Sequence, residues 1–368
     1  MRTYIISTSA FGRAIPNYFR YLAEHLDNRG HKVIIVFDQN HTYINPTSSI
    51  TYKTWPSKRP TRFKDVMFFI SLIKEFKPDV IIGQFGSTNI NLVVGKLFRV
   101  PNRVIYWHTM FHQLRIDVTA NKVKTSLQHW VKRNLIEYCC TLVMTNSEAT
   151  KADLIKEYKI TNKVLVFNCL LPDPIKNNTI KNKNERELAI SFVARLDKSK
   201  GHAKIINSIP DLLTFFPDMK IYIVGDGKER TNLEKQCRDL KIQDNVVFTG
   251  LVNLKTVYSY MENSLIHISA SEEEAFGLVN VEALATATPI LANQVGGIKE
   301  IVLENKNGFF LKPHQKGSLK HLVRSIINNW EFFSKNSRQS FLDRYIANEK
   351  NISAQITKLE KALYPKKA

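Results

Sequence analysis

Cysteine is scarce in this chain: four in 368 residues, two of them the adjacent Cys139 and Cys140. They show neither a metal-ligand spacing nor a framework of bridges, and a reducing cytoplasm is the simplest compartment to expect. Long apolar runs are also missing. The stretch Val66 to Ile70, resuming past Ser71, falls far short of the ~20 residues of a membrane span. The amino terminus opens directly on a strand-like Tyr4-Ile5-Ile6, so no export signal is visible. Heptad arrays, solenoid repeats and low-complexity tracts are absent as well. Acidic residues are the last shortage, with 33 Asp and Glu against 53 Lys and Arg, a net charge of +20. The imbalance is concentrated in residues 1–170, with 24 Lys and Arg against 11 Asp and Glu. Such an excess favours polyanionic partners: nucleic acid, an anionic membrane face or phosphorylated substrates. A plain solubility charge is the alternative.

What is present is alternation. A chain this long exceeds the size at which one core keeps growing, so two domains are expected. Short apolar strands at Tyr4 to Ser7, Lys32 to Phe37, Val80 to Gly83, Arg103 to Trp107, Thr141 to Thr145 and Lys163 to Phe167 alternate with amphipathic intervals. That is the pattern of a parallel sheet covered on both faces. A polar, aperiodic segment beginning Leu171-Pro-Asp-Pro reads as a linker. A second series follows at Leu188 to Ala194, Lys220 to Val224, Asn245 to Phe248, Leu265 to Ser269 and Pro289 to Ala292, and the chain after Leu311 reads as wholly helical. The expected division is 1–170, a linker at 171–186, a second domain at 187–345, and a carboxyl-terminal helix and basic tail at 346–368 packing back on the first domain. The fold class is α/β, with two doubly wound parallel sheets facing a cleft and ligands at the carboxyl ends of strands.

The chemistry concentrates in the second half. Glu274 lies just before Phe276 and Gly277, where an acidic loop gives way to a helix start, and Glu282 falls inside that helix. A helix beginning here aims free N–H groups at the loop, where a diphosphate can dock. Each carboxylate could accept hydrogen bonds from two hydroxyls of a ribose or hexose. The alternative is a solvated acidic loop and an ordinary helix glutamate. Upstream, Arg195 and Lys200 stand in a basic loop ending in Gly201, where a planar fork and a mobile point charge would neutralise a diphosphate. Gly225 and Gly250 mark close backbone passages after strands, where a flat base could lie. Gly296-Gly297 and Asn307-Gly308-Phe309 read as structural turns.

These residues resemble a family. Arg195 with Lys200-Gly201, Val224-Gly225-Asp226-Gly227, Glu274-Ala-Phe-Gly-Leu-Val-Asn-Val-Glu282 and Val295-Gly-Gly-Ile-Lys-Glu300 stand in the order seen in retaining glycosyltransferases of family 4, with the GT-B fold. The resemblance is strong over about residues 186–313 and looser through Thr145-Asn-Ser147 and the amino-terminal half. It implies that Arg195 and Lys200 hold the donor diphosphate together with the backbone amides of Phe276, Gly277 and Leu278. It further implies that Glu282 takes the ribose, and that Glu274 takes the donor hexose as a catalytic residue. His108, ending the strand Arg103 to Trp107, matches a histidine that family members direct into the cleft. Gly12 stands where the family has two adjacent glycines against the donor phosphate; Phe11 replaces the other, and Arg13 could add charge. Arg13 and His112 are the acceptor-side candidates. No metal and no cofactor are expected; the nucleotide sugar is a substrate, with UDP the favoured nucleotide.

The implied activity is metal-independent transfer of a sugar to a hydroxyl of a glycan or lipid-linked saccharide in cell-surface polysaccharide or lipopolysaccharide biosynthesis. Two other readings stay open: a sugar-binding GT-B protein with impaired turnover, and, more remotely, a basic nucleic-acid-binding protein, although no recognised nucleic-acid module is present. The run Lys58-Arg-Pro-Thr-Arg62-Phe-Lys64 introduces an amphipathic stretch, and Lys122-Val-Lys124 leads to His129-Trp130-Val-Lys132-Arg133. Both suit an anionic lipid surface, which places the protein peripherally on the inner membrane face; helices packed on the sheet with lysines outward are the alternative.

Overall fold

The computed structural model describes residues 1–12, 14–40, 47–111, 122–160, 164–175, 179–311 and 318–365. Arg13 and His112 lie outside the described residues. The chain divides into two compact units: Met1–Leu171 with Ala347–Ala368, and Pro172–Ile346.

In the first unit the strands are β1 (Thr3–Thr8), β2 (Lys32–Phe37), β3 (Thr51–Thr54), β4 (Val80–Gly83), β5 (Asn102–Trp107), β6 (Leu142–Thr145) and β7 (Val164–Val166). They pair in parallel in the order β3-β2-β1-β4-β5-β6-β7. Burial on both faces explains why the central strands read as continuous Ile and Val runs rather than alternating ones: Ile5, Ile6, Ile34, Ile35, Ile81 and Ile82 are all buried. The helices Ala14–Asn28, Phe63–Phe76, Thr88–Leu97, Lys122–Cys139 and Glu148–Tyr158 fill the crossovers. The last is capped by Ser147, whose Oγ accepts from the Thr150 amide at 2.9 Å. The helix Glu349–Leu363 also belongs to this unit. Its Gln355 accepts from the Tyr18 hydroxyl and donates to the Asn168 carbonyl at 2.9 Å, while Glu360 meets Arg2, Arg29 and His31.

The second unit carries β8 (Glu187–Val193), β9 (Lys220–Val224), β10 (Val246–Gly250), β11 (Ser264–Ser269), β12 (Ile290–Ala292) and β13 (Gly308–Phe310), again parallel, in the order β10-β9-β8-β11-β12-β13. Ile190, Phe192, Ile223, Ile266 and Ile268 build its core against Val323, Ile326 and Trp330. Within the segment read as a linker, Asp173 is gripped by the buried Arg338, with one Nη–Oδ distance of 2.8 Å, and Asn182 caps the short turn Lys183–Glu185.

Two strands differ from the sequence expectation. β3 is half-buried along its whole length, so as an edge strand it needs no apolar run and gives no signal. β13 occupies residues read as a turn. Gly308 pairs with Ile290 so closely that a Cβ would lie 1.9 Å from the Ile290 carbonyl oxygen. The glycine serves strand approach rather than chain reversal. The region after Leu311 also holds a bridge residue and a turn between its helices.

Candidate functional site

Four chain segments of the second unit converge at the carboxyl ends of β8 and β11. β8 feeds the loop containing Arg195, and Lys200 closes a short turn before the αL residue Gly201. Gly201 has φ +73°, and a Cβ there would stand 2.2 Å from the Ala270 carbonyl oxygen, so the Lys200 loop lies against the chain leaving β11. Only glycine satisfies both demands. The consequence is a contact across 74 positions of sequence: Lys200 Nζ donates to Glu274 Oε2 at 2.7 Å, with both side chains mostly shielded. Ser271 Oγ donates to the same oxygen at 3.3 Å. Glu274 Oε1 receives no protein donor among the described residues.

The backbone of Glu274 is held from the other side. Its carbonyl accepts from Gly297 at 3.0 Å, and a Cβ on Gly296 (φ +46°) would meet the same carbonyl oxygen at 1.8 Å. The glycine pair is therefore what lets the Glu274 loop sit where Lys200 can reach it. Two residues further, Phe276 is buried with its ring against Tyr345. Gly277 caps the helix Leu278–Ala285 in the left-handed region. The first amides of that helix have no intrahelical acceptor and carry the positive end of its dipole. Glu282 stands on this helix and is only 7 % exposed. Asn280 on the same helix donates to Ser269 Oγ at 3.3 Å.

The other sequence-singled residues separate into two groups. Gly225 donates its amide to the Gly250 carbonyl at 3.1 Å, which joins the two glycines placed on the base side. Arg195 instead turns outward: its guanidinium meets Asp197 at 3.2 Å and the side chain is 72 % exposed. Arg195 pairs with Asp197 and Lys200 with Glu274, so the two cations expected as a pair have separate partners. Among the described residues no cluster of three or more His, Cys, Asp or Glu could hold a metal ion.

In the first unit, Gly12 follows β1 with φ +137° and faces the Pro16 ring. The preceding loop is tied to Asp38, which accepts from Ser9 Oγ and the Ala10 amide, both at 2.8 Å. Phe11 is 61 % exposed. His108 follows β5 with its ring 6.0 Å from Tyr106. It is densely surrounded, and this desolvation, with a smaller contribution from nearby Lys132, pulls its pKa down to about 4 against the backbone hydrogen bond at Tyr106. His108 is thus a neutral imidazole at physiological pH. Sequence reasoning missed Ser271, Asn280 and the buried His202, whose ring stacks on Phe192 at 4.1 Å. A serine three residues before Glu274 was a legible signal for the first.

Two parallel-sheet α/β units, of seven and six strands, give the GT-B fold. The chain belongs to the family 4, group 1 type of glycosyltransferase: the model of glycosyl transferases group 1 matches residues 175–342, and that of Glycosyltransferase Family 4 matches residues 15–169. An uncharacterized glycosyltransferase of Haemophilus influenzae is 28% identical over 294 residues, 78% of each chain. One of Methanocaldococcus jannaschii is 32% identical over 162 residues, and there the match spans 43% of this chain but 41% of the relative. Among solved structures, the Anabaena protein HepE in complex with UDP-glucose superposes with a TM-score of 0.74 over 98% of this chain and 100% of its own, at 16% identity.

Proposed function

We propose that this protein transfers a sugar from a nucleotide diphosphate, UDP by preference, to a hydroxyl of a glycan or lipid-linked saccharide, with retention at the anomeric carbon. The observation that carries the reading is the Lys200–Glu274 pair at the start of the helix Leu278–Ala285. Its cation and the helix amides suit a diphosphate, and the open Oε1 of Glu274 suits a hexose hydroxyl. The likeness to a protein solved with UDP-glucose supports the donor class. Arriving phosphates would compete with Glu274 for Lys200, and Arg195, free to swing from its exposed position, would add a second cation. Glu282 would receive the ribose, with Gly225 and Gly250 beside the base.

In the reaction we infer, the acceptor oxygen attacks the anomeric carbon on the face the phosphate is leaving. The carbon–phosphate oxygen bond breaks as the new glycosidic bond forms, and the acceptor proton passes to the departing phosphate oxygen. Lys200 and the helix amides stabilise charge growing on that phosphate without a metal. His108 would stay neutral and orient the sugar. Screening donor turnover across UDP-, GDP- and ADP-sugars, with the product anomer followed by NMR, tests the assignment; an inverted product or a glycosyl adduct trapped on Glu274 overturns the mechanism. For Glu282→Ala we expect donor binding weaker by about 1.5–3 kcal/mol, the range for hydrogen bonds to a charged group. Calorimetry with UDP reads it, and unchanged affinity removes the ribose role.

We further propose that the first unit works against an anionic membrane surface. On the helix Phe63–Phe76, Phe63 and Met67 are 78 % and 49 % exposed one turn apart, beside the basic run starting at Lys58, and Trp130 is 60 % exposed three residues before Arg133. An apolar face rimmed by lysine and arginine suits a lipid surface. No helix among the described residues is long and apolar enough to cross a membrane. Sedimentation with anionic vesicles at low salt should carry the protein down; activity on a soluble acceptor without any vesicle association would count against this.

A further inference from the structure

The chain leaves β11 at Ser269, runs through Ser271 and Glu274, and becomes regular again in the helix Leu278–Ala285. Backbone ties hold this excursion from outside. The Glu272 amide donates to the Ser199 carbonyl at 2.9 Å, Asn293 Nδ2 to the Ala270 and Ser271 carbonyls at 2.8 and 3.1 Å, and the Gly297 amide to the Glu274 carbonyl at 3.0 Å. These ties end short of the helix.

Asn280 joins the helix to the root of the excursion. Its Nδ2 donates to Ser269 Oγ at 3.3 Å, and its backbone amide donates to the Gly277 carbonyl at 2.9 Å. A Cβ built on Gly277 would lie 2.8 Å from the same Nδ2 and 3.4 Å from Glu274 Cγ. The carboxamide and the stem of Glu274 therefore flank the bare Cα of Gly277.

Asn280 is out of keeping with its neighbours. Val281, Ala283, Leu284 and Ala285 of the same helix are fully buried apolar residues, and Asn280 is buried as deeply. Its Oδ1 has no hydrogen-bond partner among the described residues. One neutral hydrogen bond returns no more stability than a buried acceptor left unpaired takes away, so stability does not account for an asparagine here. A leucine of similar shape would avoid the penalty. What leucine cannot supply is a fixed attachment. The Ser269 bond sets the first turn of the helix at one height over the end of β11, and with it the amides that follow Gly277 and the Glu274 carboxylate, whose Oε2 takes Lys200 and Ser271. Misplacing a reacting group by about 1 Å can cost on the order of 100-fold in rate.

We propose that Asn280 is a positioning residue for sugar transfer: by tying the first turn of Leu278–Ala285 to Ser269, it holds the Glu274 carboxylate where the donor sugar is met. This rests on the glycosyltransferase reading. The test uses Asn280→Leu in the full chain, alone and in a Glu274→Gln background, with Ser269→Ala as a second variant; turnover at saturating sugar nucleotide and the thermal midpoint are measured for each. Asn280→Leu should lower kcat by about tenfold or more, about 1.4 kcal/mol of barrier, with a midpoint equal to or above that of the parent. In the Glu274→Gln background the same change should cost less than about twofold, because the carboxylate it places is already gone. Ser269→Ala should also lower kcat, and should add little to Asn280→Leu. A full tenfold loss persisting in the Glu274→Gln background, or a midpoint several degrees below the parent, would overturn the positioning role, the latter by showing that the asparagine holds the fold. An active parent with unchanged kcat in Asn280→Leu sinks this inference alone. A parent that turns over no sugar nucleotide sinks the glycosyltransferase reading, and this inference with it.

Discussion

The strand ends of the two sheets carry opposite chemistry on the same backbone plan. In the second unit, the ends of β8 and β11 deliver charge, and the shielded charges are matched, Lys200 to Glu274. In the first unit, the ends of β1, β4 and β6 deliver uncharged groups, and these are unmatched: Thr8, Gln84 and Asn146. The contrast follows from the different penalties of burial. A lone buried charge is too unfavourable to keep, so a shielded cation is held with a carboxylate partner. A lone buried carboxamide is tolerable at a few kcal/mol or less. A parallel sheet can therefore keep shielded charges paired at one strand edge and carry unpaired neutral polar groups at another.

The strongest way to break the charged side is Glu274→Gln, which keeps the shape and removes the charge. We expect kcat to fall about 10²–10³-fold, or about 2.7–4 kcal/mol, as when a preorganised electrostatic group is lost. Release of UDP under saturating donor reads this. A variant within a few-fold of the parent would mean that the carboxylate serves only to park Lys200.

Gly201→Ala acts on the same contact through the backbone. The added Cβ would collide with the Ala270 carbonyl at 2.2 Å in a left-handed conformation. We expect a stability loss of about 1–3 kcal/mol, together with weaker UDP binding as the Lys200 loop lifts from Glu274. A variant with unchanged melting and UDP affinity would show that the loop can take up the methyl elsewhere.

How far the sequence exposed each edge differs for the same physical reason. Strands buried on both faces announced themselves as Ile and Val runs, so most of both sheets was legible; β3, half-buried at an edge, was not. Glycines beside charged residues flagged Lys200 and Glu274, because close backbone approach and charge leave a mark in composition. Their pairing was illegible, since it depends on Gly201 touching a residue 69 positions away. Gln84 and Asn146 left no mark at all. Only burial, which a sequence does not display for a single polar residue, separates them from surface amides. The Asn307-Gly308-Phe309 stretch misled because glycine answers equally to a turn and to a tight strand pair.

The histidines give the finest comparison of the two units, and the smallest effect. Burial pulls His108 of the first unit and His202 of the second down to about 4, and His267 to about 3. A folded-state pKa below the unfolded value of about 6.5 means that the unfolded chain holds more protons between those limits. Stability is then present in full above about pH 6.5 and is lost as pH falls toward 4. Each such group contributes a slope of up to about 1.4 kcal/mol per pH unit in that window. His202 shows the effect without a hydrogen bond on either ring nitrogen and at 2 % exposure, with nearby Lys200 lowering and Asp197 raising its pKa beside the burial. His202→Leu should leave melting at pH 7.5 equal or slightly higher and flatten the acid limb by one proton. Melting curves of the parent and the variant at pH 4.5 to 7.5 measure this. An acid limb unchanged in His202→Leu would mean that its imidazole finds a proton acceptor as the pH drops, and that burial alone does not set its titration.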